Sequence, residues 1–267
     1  MVLLLAMMLA MAAGLMAYGP VPIVPADHLF ADQRTWLGMA QGAQVVACLP
    51  LVAVGAWGAV ATLRSSWPSA LRMPWLLFFV LCVAMSVVNL AYHLSPGDVG
   101  FAFTHLFAAA ALTALALGFM AERVDALFGS AQAVAGGLGV AGFAALWWFA
   151  GQWASGEGDM RALLFLESLP LLLIPAGALS LPGRHTSTAD WIAMLVLYLV
   201  ARVAGMADAA VYSATGWISG HTAMHLLLAA VAACLAYRAG VAPGSRRASD
   251  VESAVATQRS TSLTTSS

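Results

Sequence analysis

Residues 75–93 read W-L-L-F-F-V-L-C-V-A-M-S-V-V-N-L-A-Y-H, and no charge interrupts them before the closing His93. An α-helix needs about 20 predominantly apolar residues to cross the hydrocarbon core of a bilayer. Runs of the same kind recur along the chain, at residues 2–18, 44–63, 75–92, 101–120, 132–153, 162–179, 191–211 and 221–238. In lipid every backbone polar group must be paired within the protein, and these runs are too long and too continuously apolar for barrel strands. The sequence therefore predicts an all-α polytopic membrane protein. Its expected core is a seven-helix transmembrane bundle over residues 44–240. One extra N-terminal helix (1–18) and a connecting loop (19–43) precede it.

Composition agrees with this reading. Hydrophobic residues make up 62% of the 267 and charged residues 9%, against about 25% charged in soluble domains. The net charge of −1, with no basic patch, argues against nucleic acid as a partner. The bilayer and a membrane lipid are the expected partners. All eleven cationic residues are Arg, in a chain rich in Ala and Gly, which suggests GC-rich bacterial coding and a bacterial inner (plasma) membrane. Residues 2–18 lack the positive leading region of a signal peptide, so they read as an uncleaved helix. The tail 241–267, rich in Ser, Thr and Ala from residue 245 on, has little to bury and is expected to be disordered and cytoplasmic. Cys48, Cys82 and Cys234 lie far apart within apolar runs and read as small buried hydrophobes. Trp147, Trp148, Trp153 and Trp217 read as interfacial belt residues.

Arginine placement sets the orientation. With the N-terminus inside, Arg64, Arg72, Arg123, Arg184, Arg238, Arg246, Arg247 and Arg259 fall inside, and only Arg34 and Arg161 fall outside. The outer loops are then 19–43, 94–100, 154–161 and 212–220. On this map His93, His105, His221 and His225 all sit in the outer half of the membrane. His221 and His225 are spaced i, i+4 and share a helix face, about 6 Å apart. Two such imidazoles and a third from another helix can bind one metal ion and leave a position open to water. Alternatively, each histidine bonds a carbonyl or hydroxyl between helices. Intramembrane ionisable groups are costly, which weighs toward function. Asn89 and Thr104 lie at similar depth and serve equally as interhelical hydrogen-bonding groups. Glu167 reads as a residue near the interface, and Asp208 as a structural ion-pair partner of Arg202.

A family resemblance follows from four segments. Residues 217–228, W-I-S-G-H-T-A-M-H-L-L-L, resemble the last-helix motif of the alkaline ceramidase family, in its bacterial branch. Residues 27–37, D-H-L-F-A-D-Q-R-T-W-L, resemble the segment before that family's first helix. Residues 91–96, A-Y-H-L-S-P, resemble its second-helix end, and 158–175 its G-D-x-R…L-P-x-x-L-I-P segment. The resemblance implies a zinc-dependent amidase acting on the N-acyl bond of a sphingoid lipid. It implies that His93, His221 and His225 hold Zn²⁺, and that loss of His221 or His225 removes it. Two positions depart from the pattern. Asn89 stands where the family has a Ser, and Thr104 where it has an Asp; those two family residues assist the water and the oxyanion. Asn89 can still donate to an oxyanion, whereas Thr104 cannot act as a general base, so turnover is expected to be slow and Thr104→Asp to raise it. Asp98 and His105 are nearby substitutes. The eukaryotic calcium ligands have no counterpart in residues 27–34. A non-catalytic metal-containing receptor, sensor or scaffold is the alternative. A transporter is less well supported, since no internal repeat is visible.

Overall fold

A computed structural model describes residues 2–240, so the expected disordered tail lies outside the described residues. Nine α-helices follow in order: α1 (Val2–Tyr18), α2 (Gly42–Arg64), α3 (Ser69–Leu94), α4 (Asp98–Arg123), α5 (Ala131–Ser155), α6 (Arg161–Ser180), α7 (Thr188–Met206), α8 (Asp208–Thr215) and α9 (Gly220–Gly240). Seven of them, α2 to α7 and α9, are long and apolar enough to cross a membrane. The chain is thus a helical membrane bundle. α1 is apolar but has only 17 residues.

Local sequence sets several helix ends. Ser130 accepts the Ala133 N–H and starts α5. Ser187 and Asp190 cap each other's backbone at the start of α7. α2 packs on α3 and α9, α9 on α7, α7 on α6, α6 on α4, and α4 on α3. These six helices close a ring. α5 lies outside it against α4 and α6, and α1 rests on α6. Large apolar residues of the outer helices, such as Phe143 and Leu146 on α5, stay exposed, as a lipid-facing surface requires.

The four loops assigned to one side of the membrane do meet on one side. Met160 N–H donates to Val21 O, His28 reaches Asp98, and Arg34 donates to Trp217 O. The opposite connections meet as well: Arg123 donates to Leu181 O and Thr186 O, and Arg238 pairs with Asp190. The arginine bias leads to the expectation that the first group faces outward. A reporter fused after Arg238 is expected to read cytoplasm, and one inserted within 154–161 to read outside. The reverse pattern would invert the assignment of faces.

Two expectations about the spans and the tryptophan belt need correction. Residues 191–211 do not form one span, because α7 stops at Met206 and α8 begins at Asp208. Trp148 is not a belt residue; it is fully buried, edge-on to Phe149. Trp153 and Trp217 are exposed, and exposed Trp147 donates to Asp159. Burial alone would raise the Asp159 carboxyl, but hydrogen bonds from Arg161, Val21 and Trp147 hold it down at about 2.

Candidate metal site and membrane cavity

His93 lies one residue from the end of α3, and His221 and His225 lie on the first turns of α9. Helical rise therefore places all three within about 8 Å of the same ends of their helices. Their ring nitrogens converge. His93 Nε2 is 3.1 Å from His225 Nε2, and His225 Nε2 is 3.1 Å from His221 Nε2. A neutral imidazole nitrogen offers one in-plane site, as donor or as acceptor. His225 Nε2 faces two partners and can satisfy only one by hydrogen bonding. Both spacings are close to the roughly 3.3 Å between two ligand nitrogens that each lie about 2.0–2.1 Å from a tetrahedral ion.

A fourth group stands beside them. The ligand atoms of Cys48, His93 and His225 all lie within 4.8 Å of one another, and all three residues are buried. This Cys/His/His cluster can hold a metal ion. Cys48 is therefore more than a small apolar side chain. Its thiol donates to Gln44 O at 3.3 Å, while its carbonyl accepts from Ser86 Oγ. The depth argument that placed the histidines would also have found it, since Cys48 lies six residues into α2 from the same side. Cys82 is buried too, whereas Cys234 is exposed, contrary to its reading as a buried residue.

The 19–43 loop covers the site. Phe30 is buried, with its ring centroid 4.9 Å from His93 and 4.6 Å from His221. Two polar anchors hold the loop in place. Asp32 is fully buried and its carboxylate accepts from Arg34 Nε and Nη2. Those bonds lower the Asp32 carboxyl below its ordinary value, against the opposing effect of burial. The second anchor is Asp208. It forms no ion pair with Arg202, whose Nη1 lies 3.9 Å from Met224 Sδ. Its carboxylate accepts the Ala31 and His221 N–H groups instead, each at 2.7 Å. The second bond satisfies one of the orphan donors at the start of α9. Gly220 permits this junction, because a Cβ there would come within 2.0 Å of Ala204 O. Asp208→Ala removes two charge-assisted bonds and is expected to cost on the order of 3 kcal/mol. A thermal-unfolding shift in detergent checks this.

Below the histidines lies a cavity of about 430 Å³ lined by residues of all six ring helices. His221 and His225 line its outer part, together with Asn89 and Thr104. Phe78, Leu115, Trp191 and Leu235 line its deeper part, about 20 Å further along the helices. Asn89 thus faces the same space as two of the histidines. Thr104 also faces it, but its hydroxyl donates to Phe101 O at 2.7 Å. Of the two nearby substitutes, Asp98 is committed to His28 in the loop region. His105 instead lines the cavity and bonds Glu167. Glu167 is therefore a cavity residue, not simply an interfacial one. Comparison with family models, curated proteins and solved structures gave no match.

Proposed function

We propose that this protein is a metal-dependent membrane hydrolase that cleaves the N-acyl bond of ceramide-like lipids. His93, His221 and His225 would hold Zn²⁺. The observation that carries the reading is the approach of His93 and His221 to His225 Nε2, with His221 and His225 lining a long apolar cavity. A metal ion there would supply Lewis-acid polarisation of a carbonyl and a water acidic enough to react near neutral pH. The cavity would take an acyl chain, and Asn89 would donate to the carbonyl oxygen as charge develops on it. The resemblance of residues 27–37, 91–96, 158–175 and 217–228 to the alkaline ceramidase family points the same way.

Cys48 favours a second reading. If its thiolate were a fourth protein ligand, the coordination would be closed, and closed sites are structural. The protein would then be a metal-stabilised receptor or scaffold. Purified protein is expected to contain one zinc per chain and to release fatty acid from N-acyl sphingoid lipids, with turnover abolished by a chelator. Bound metal without turnover, together with loss of that metal in Cys48→Ser, would overturn the hydrolase in favour of the scaffold.

A further inference from the structure

The hydrolase reading leaves the leaving amine without a proton donor, since Thr104 cannot serve. The walls of the cavity offer one. His105 on α4 faces Glu167 on α6, with Nδ1 2.6 Å from Oε1. Both side chains are mostly buried and both line the cavity that His221 and His225 line. A carboxylate accepting from Nδ1 fixes the tautomer and the ring orientation. The ring is also braced by Phe101, 4.5 Å away between centroids. Nε2 has no hydrogen-bond partner among the described residues. Helical rise puts His105 and Glu167 about 10 Å from the helix ends that carry the metal-site histidines.

Two other titratable groups on the cavity wall fit the task less well. Tyr92 is engaged with His28 and with Asp27 O. Arg202 does not give up its proton. An ionisable pair inside a bilayer is expensive and points by default to a functional site.

We propose that His105 is the general acid–base of this site and Glu167 its positioning residue. The inference rests on the hydrolase reading above. In the step it serves, water forms a bond to the carbonyl carbon and the C–N bond breaks. His105 Nε2 takes the proton that the attacking water loses and passes it to the departing nitrogen. The products are a fatty acid and an amine, with no net change on the imidazole and no redox partner.

Leaving-group chemistry tests this directly. Two substrates share one acyl chain: the N-acyl sphingoid amide, and an activated aryl ester whose phenolate leaves without a proton. His105→Ala is expected to lower kcat on the amide by about 100- to 10,000-fold with KM little changed. On the ester it should lower kcat by a clearly smaller factor, because the attacking water still loses its base but the phenolate leaves without a proton. Metal content by mass spectrometry should match wild type, and added imidazole should restore part of the amide activity. His105→Gln retains an amide that can still bond Glu167, so it repeats the test if the alanine variant unfolds. Glu167→Gln should lower amide turnover by a smaller factor. Equal losses on amide and ester, loss of metal in both His105 variants, or unchanged amide turnover would each overturn the assignment of His105 while leaving the hydrolase intact. A wild-type protein that cleaves neither substrate would overturn the hydrolase reading, and this proposal with it.

Discussion

His225→Ala is expected to purify without bound metal, whereas His221→Ala retains metal with weakened affinity. The asymmetry follows from geometry. His225 Nε2 stands between the other two, 3.1 Å from each. It is also shared with the cluster that includes Cys48. Removing His225 therefore breaks both sets at once. Removing His221 leaves Cys48, His93 and His225, which can still hold an ion. The spacing in sequence treats the two α9 histidines as equivalent; the structure does not. A bound metal stabilises the fold by mass action, about 4 kcal/mol when free metal is 1,000 times the dissociation constant. His225→Ala should lose that contribution and also strand buried His93 and half-buried His221 without their shared partner, a further cost of about 1–3 kcal/mol. Chelated wild type controls for the first loss alone. Metal content and thermal unfolding, measured together on both variants, decide the matter. Full metal content in His225→Ala would show the histidines to be structural. Equal, complete loss in both would show that Cys48 is no ligand.

The depth of the site was legible because a bilayer turns sequence position into height. Each span begins or ends at a charged or polar break, so counting residues from that break places His93, His221 and His225 at one level. The same counting places Cys48 there, yet a lone thiol in an apolar run carries no signal of its own. Phe30 was illegible for another reason. It lies in a loop, and nothing periodic in a loop tells which side chain turns inward over the histidines. The break between α7 and α8 is a tertiary effect. Residues 203–211 stay apolar apart from Asp208, so hydropathy runs straight through. At this break the Asp208 carboxylate bonds the Ala31 and His221 N–H groups, contacts that hydropathy does not reveal. Trp148 shows the limit of composition: Trp147 and Trp148 differ by one step around the helix, and only packing decides which is buried.

Thr104→Asp is expected to rescue the His105→Ala variant and to do little for wild type. Both residues line the cavity, one step apart on α4, so a carboxyl at position 104 enters the same space as the His105 ring. The Thr104 hydroxyl now spends its proton on Phe101 O, an ordinary helix-backbone bond that the helix can lose cheaply. From the family pattern alone, an acid at position 104 should raise turnover in wild type, because the pattern places its proton carrier there. The His105–Glu167 pair changes that expectation. If the pair already carries the proton, a second carrier is redundant, and turnover in wild type should change by less than about tenfold. In the His105→Ala background the same substitution should recover most of a loss of about 100- to 10,000-fold. The measurement is kcat on the N-acyl sphingoid amide for wild type, the two single variants and the double variant, each checked for metal content. Groups that share one role are strongly non-additive, so the double variant should turn over far faster than the product of the two single effects allows. A gain of about 100-fold or more from Thr104→Asp in wild type would mean that the cavity lacked a proton carrier and that His105 stands idle beside Glu167. Additive effects would mean that positions 104 and 105 act on different steps.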